Sequence, residues 1–159
     1  MSGPVLANTR ERPDLVPVTA RWRWMEFFEK EGTPFAEVLA GAQATAACRE
    51  PMPQTLVLLE DGLPVGTASL TPHDLEERPN LSPWLAGVVV DPAARGRGHA
   101  ARLVVGVERL AAAAGVGTLW LYTRRAEAVY ARCGWVTTER VERHGKQYAL
   151  MRRELNAPG

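Results

Sequence analysis

Apolar and polar positions recur with two different periods along this chain of 159 residues. Between Thr55 and Leu70, "TLVLLEDGLPVGTASL" sets two apolar runs on either side of Asp61-Gly62, a turn signal that predicts an antiparallel hairpin. "WLAGVVV", from Trp84 to Val90, predicts a further strand. From about Gly98 the period changes: Leu103, Val104, Val107, Leu110, Ala111 and Ala114 fall at helical spacing, so an amphipathic helix is expected up to Gly115. "TLWLY", starting at Thr118, is apolar on both faces, as a central strand would be. Strand, helix and strand in that order predict a right-handed crossover joining two parallel strands.

Upstream, Val18 to Lys30 reads as an aromatic-rich helix ended by Gly32 and Pro34, and Phe35 to Cys48 as a second helix stopped by "REPMP". Downstream, a short helix is expected from Ala126 to Arg132. "WVTTERVE" and "KQYALMRREL" then form two strands around His144-Gly145. No internal repeat or low-complexity linker divides the chain, so residues 1–159 are read as one α/β (α+β) domain. Its sheet is mixed and mostly antiparallel, with a central parallel strand–helix–strand crossover and flanking helices.

An apolar content of 46% is enough for a real core. The net charge of +1 supplies no general field for nucleic acid or an anionic membrane, so any electrostatics must be local. No apolar run is long enough to cross a bilayer. Cys48 and Cys133 lie far apart without metal-ligand spacing, and His73, His99 and His144 are scattered, so neither a disulfide nor a metal is expected. "MSGPVLANTR" lacks the charged start and apolar core of a signal peptide. These observations together predict a cytoplasmic protein with no membrane or nucleic-acid partner.

The chemistry concentrates in "VVVDPAARGRGHAA". Arg95, Gly96, Arg97, Gly98, His99 and Ala100 lie between a buried strand and a helix start. The N–H groups there have no intrahelical partners, and the helix dipole favours an anion. Glycines let oxygen atoms approach the backbone, so a diphosphate is the natural guest. An RGG-type nucleic-acid patch fits poorly, because the segment is pinned between two apolar elements and no other basic run extends it. A dinucleotide loop is a stronger rival, since Gly96, Gly98 and Ala101 satisfy G-x-G-x-x-A. Residues 91–95 separate the strand from the first glycine, however, and "TLWLYT" ends without the acid that would hold a ribose.

Arg95-Gly96-Arg97-Gly98-His99-Ala100 matches the signature Q/R-x-x-G-x-G/A, introduced by an apolar strand and "VDP", and "VYARCGW" downstream matches Y-x-x-x-G-F/W. In these motifs, their order and their separation, the chain resembles the GNAT acetyltransferase superfamily from about Thr55 to Leu155. The resemblance implies a GNAT-like fold and transfer of an acetyl group from acetyl-CoA, as co-substrate, to a small-molecule or peptide amine. It implies that Gly96, Gly98 and Ala100 hold the pyrophosphate with Arg95 and Arg97 nearby. Val88, Val89 and Val90 would present backbone groups to the pantetheine arm and an N–H to the thioester carbonyl. His99 stands where an aliphatic residue is usual, and Thr123 where many members carry a cofactor-contacting asparagine.

Tyr130 occupies the position of the family's general acid, and a phenol is protonated at neutral pH. Asp74, Glu76 and Glu77 lie in the polar segment before the central strand, which the resemblance places on the acceptor side, and Glu76 and Glu77 are the candidate bases. Trp22, Trp24, Phe27 and Phe28 read as core, with one wall of an acceptor pocket as the alternative. Two other functions stay open at this point, a non-catalytic acyl-CoA sensor and an NADP-dependent oxidoreductase. The acceptor's identity and whether the protein forms a homodimer are not written in the motifs.

Overall fold

The computed structural model describes residues 3–155, so the remaining residues of the domain read as 1–159 lie outside it. A seven-stranded sheet forms its centre, with strands in the order β1-β2-β3-β4-β5-β7-β6. The hairpin predicted around Asp61-Gly62 is present as β2 (Gln54–Glu60) and β3 (Leu63–Thr71), and both turn residues have positive φ. β6 (Val136–Arg143) and β7 (Lys146–Glu154) form a second hairpin with the same backbone device at His144-Gly145. β4 (Trp84–Val90) pairs antiparallel with β3 and parallel with β5 (Thr118–Thr123), and α3 (His99–Ala113) connects these last two strands. This is the expected mixed, mostly antiparallel α/β sheet.

β1 (Val5–Asn8) was not expected from the pattern, since four residues are too few to show a period. It adds to the β2 edge. β5 lies beside β7 and not β6, an order that the run of strands along the chain does not settle.

α3 lies on one face of the sheet. Leu103, Val104, Val107 and Ala111 meet Leu56, Leu58, Leu70, Leu119 and Met151, forming the largest cluster of buried residues. On the other face, α1 (Val16–Arg23) and α2 (Phe35–Ala47) pack together through Val16, Ala20, Val38, Ala42 and Ala46. The long aromatic helix expected up to Lys30 does not continue as an α-helix. It widens to a π-helical turn over Trp24–Phe28 and then tightens to a 3₁₀ turn that ends at Gly32. No residue of the π-turn is fully buried. Trp24 and Phe28 pack half-buried against the α2 cluster, whereas Phe27 is 41% exposed. The short helix α4 (Glu127–Arg132) follows β5. No described helix is long and apolar enough to cross a membrane.

Candidate active site

A gap in the middle of the sheet defines the site. β4 and β5 meet at one register pair, Trp84 opposite Trp120, where the Trp120 N–H donates to the Pro83 carbonyl (3.1 Å). Beyond that point the strands separate, so β4 from Leu85 to Val90 has no ladder partner on the β5 side. A sheet interior normally pairs every peptide group. An open edge here leaves peptide groups that can take an added strand.

β4 also carries a bulge. Thr67 faces Val89 and Ser69 faces Ala86, so Ala68 alone opposes both Gly87 and Val88. Gly87 adopts a φ of 62°, which glycine tolerates and other residues resist. The extra residue shifts the side-chain alternation. Leu85 joins the core beneath α3, and Val88 and Val90, rather than Gly87 and Val89, pack against that same cluster. Without the bulge, Val88 would turn to the opposite face.

The strand leads into the glycine segment. Asp91 Oδ1 accepts the Ala93 N–H (2.9 Å), closing a 3₁₀ turn at Pro92–Ala94. Gly96 and Gly98 follow with φ of 81° and 78°. Gly98 is the N-cap of α3 and supplies no side-chain cap, so no side chain occupies the outward-facing amides of the first turn. Arg95 donates from Nε to the Val90 carbonyl (3.2 Å), bracing the end of β4. Arg97 pairs with Glu60 (Nη1–Oε1 2.7 Å), and its carbonyl accepts from Arg102 (2.9 Å). His99 faces inward, 2% exposed, with Nε2 lying 3.6 Å from Glu60 Oε2. Its side chain thus belongs to the packing, leaving only its backbone toward the loop. Thr123 Oγ1 accepts the Ala126 N–H (3.1 Å), so this side chain shapes the approach to α4.

Tyr130, on α4, is buried in the cluster that also receives Val88 and Val90, edge-to-face with Trp135 at 6.3 Å between centroids. Its hydroxyl has no hydrogen-bond partner among the described residues and is not sealed from solvent. Burial, with a smaller contribution from Cys133, pushes the phenol up to about 12. Both cysteines are free thiols.

The opposite face of the gap carries a second polar cluster. Trp84, Tyr122 and Tyr148 stack edge-to-face in sequence, and the Arg143 guanidinium lies 5.7 Å from the Tyr122 ring centre. Arg143 also lies 3.5 Å from a Glu77 oxygen. Burial, above all, pushes the Asp74 carboxyl up to about 6, against the opposing pull of Arg23 and Arg143. Glu76 and Glu77 are exposed. Three acids that look alike along the chain therefore occupy different environments.

The Acetyltransferase (GNAT) family model matches residues 17–135 of this chain. Compared with the curated proteins, the sequence finds no match. Among solved structures, an aminoglycoside 6′-N-acetyltransferase in complex with coenzyme A superposes with a TM-score of 0.77 at 13% identity, over 98% of this chain and 99% of the other. An N-acetyltransferase from Staphylococcus aureus Mu50 gives 0.71 at 16% identity, over 98% and 100%. A candidate acetyltransferase from Salmonella typhimurium, with its cofactor acetyl-CoA, gives 0.70 at 16% identity, over 99% and 97%. At such identities the likeness establishes the fold, and the family model establishes the membership. The chain belongs to the GNAT acetyltransferase family, whose co-substrate is acetyl-CoA.

Proposed function

We propose that this protein transfers an acetyl group from acetyl-CoA directly to the amine of a small molecule or peptide. The observation that carries the reading is the unpaired stretch of β4 from Leu85 to Val90, with the uncapped start of α3 at its end and a buried phenol packed beside it. These residues fit the co-substrate: the strand edge offers amides and carbonyls, and the glycine segment offers amides without side chains. Acetyl-CoA, when bound, supplies an activated acetyl thioester.

The backbones of Val88, Val89 and Val90 would pair with the amide-bearing arm as an added strand does. Their N–H groups are also the donors available to polarise the acetyl carbonyl as it gains negative charge. The amides of Gly96, Gly98, His99 and Ala100 would hold the diphosphate at the helix start. Arg95 and Arg97 place positive charge beside it, although Arg97 already shares its charge with Glu60.

Tyr130 assists the departing sulfur. A phenol held at about 12 is protonated throughout the working range. Since an ordinary thiol titrates near ~8.5, the proton stays mainly on Tyr130, which acts by donating a hydrogen bond to the developing thiolate. The attacking amine must be neutral. Asp74, held near 6, is matched to accept its proton, and Glu76 and Glu77 would draw a cationic amine toward the cleft.

Thermal shift with acetyl-CoA, followed by thiol release against a panel of amines, tests the proposal. Stabilisation by the thioester together with amine-dependent thiol release is expected. Stabilisation without release on any amine would make the protein a binding module instead.

A further inference from the structure

Arg23 is half-buried, and its charge has no protein partner among the described residues. Its Nε is sealed from solvent without an acceptor, and it forms no ion pair among the described residues. Arg10 and Arg153 also have a sealed Nε, but their Nη groups donate to backbone carbonyls, and Arg78, Arg97 and Arg140 each close on a glutamate at 2.7 Å. An N–H sealed from water with no acceptor is destabilising, and the remaining N–H groups of this guanidinium are left for a ligand. Asp74 offsets this only at a distance.

The position of Arg23 gives that cost a use. It ends α1, where the helix widens into the π-turn. Its side chain crosses the β4 bulge so closely that a Cβ at Gly87 would lie 3.0 Å from Nε and 3.5 Å from Cδ. Arg23 also lines a cavity of about 340 Å³ between α1 and α2, walled by Phe28, Thr33, Val38 and Thr45. That volume suits a small molecule. Glu37, also on the wall, is exposed, so the less solvated charge of this cavity is positive.

We infer that the acceptor is a small amine bearing its own anionic group, a carboxylate in the simplest case, which Arg23 receives in the cavity between α1 and α2. The inference rests on the acetyl-transfer reading and specifies its acceptor. A guanidinium binds a carboxylate through two parallel hydrogen bonds, which orients the ligand as well as holding it. Arg23 itself links this cavity to the bulge at Gly87, and Asp74 lies within its electrostatic reach. A diamine or polyamine would instead set a cation against Arg23 and be rejected.

The test compares free amino acids with their carboxamides, and with diamines of similar length, on the full chain. Thiol release gives kcat/KM, and calorimetry in the presence of CoA gives binding without turnover. Free acids should be favoured about tenfold or more, as a charge-assisted hydrogen-bonded pair warrants. Arg23→Gln should abolish that preference by raising the acceptor KM while the acetyl-CoA KM stays constant, and Arg23→Lys should keep part of it. Carboxamides or diamines used as well as the free acids, or a preference that survives Arg23→Gln, overturns the inference. If Arg23→Gln does not fold, the acid–carboxamide comparison in the wild type and in Arg23→Lys decides. If no amine is turned over, the transfer reading fails separately, and calorimetry still decides this one: acid-selective binding supports it, and equal or no binding ends it.

Discussion

Tyr130 and Asp74 are pushed in the same direction by burial, and in the proposed reaction the consequences differ, because one group would donate and the other accept. Tyr130→Phe removes only the hydroxyl from a packed ring. We expect kcat to fall by about 10²–10³, within the range of general-acid assistance, while the KM for acetyl-CoA is unchanged in steady-state assays. For Asp74, kcat/KM should rise with pH through an acid limb near 6 that Asp74→Asn removes. Glu76→Gln and Glu77→Gln should leave that limb in place and act on the acceptor KM. The same carboxyl has a stability signature. Its folded value of about 6 exceeds the ordinary ~3.9, so the folded chain holds the proton more tightly than the unfolded chain. Stability therefore falls as pH rises from about 4 to about 6 and is level above. Denaturation of Asp74→Asn across that window should show the dip removed. At this scale the chain is only partly legible. Asp74, Glu76 and Glu77 are equivalent along the sequence, and only burial separates them.

The decisive element is the passage from β4 into α3. Gly96 and Gly98 are readable in advance, because a left-handed backbone at a helix entrance leaves glycine as the residue of least strain. A Cβ at Gly96 would meet nothing within 4 Å, so Gly96→Ala tests the backbone conformation alone. It should lower stability by about 1 kcal/mol in chemical denaturation and weaken binding of acetyl-CoA. The β4 bulge is less legible. "WLAGVVV" reads as an unbroken apolar strand, and nothing within it says that Gly87 and Val88 together will oppose one residue of β3. α1 shows the opposite failure. Its aromatic run has helical spacing beyond Arg23, but the turn widens there, with Trp24 and Phe28 against α2 and Phe27 at the surface.

For the whole molecule, the split in the sheet is the feature on which the proposed function rests. A fold that leaves a central strand edge open should gain stability when that edge is filled. Ligand that binds only the folded state contributes about 2.7 kcal/mol at a hundredfold excess over Kd. For a chain of this size, that corresponds to about 5–10 °C in Tm. A thermal-shift titration with acetyl-CoA checks it, and the Tm should keep rising with the logarithm of concentration. The two faces of the split carry different groups. The α3 side holds Tyr130 and the glycine segment, and the α1–α2 side holds Arg23, Asp74 and the cavity.

The amino-acid sequence by itself determined the features that depend on near neighbours: both hairpins with their turn residues, the amphipathic α3, the glycine entrance to it and the strand–helix–strand unit around it. Each follows from interactions spanning a few residues, whose periods and backbone preferences are visible in one stretch of chain. The pairing of β5 with β7, the parting of β4 and β5 after one register pair, and the gathering of Arg23, Asp74 and Arg143 near one another emerge only in the folded chain. These depend on burial and on distances between segments tens of residues apart. The chain carries no local record of which arginine or which carboxylate will lose its water.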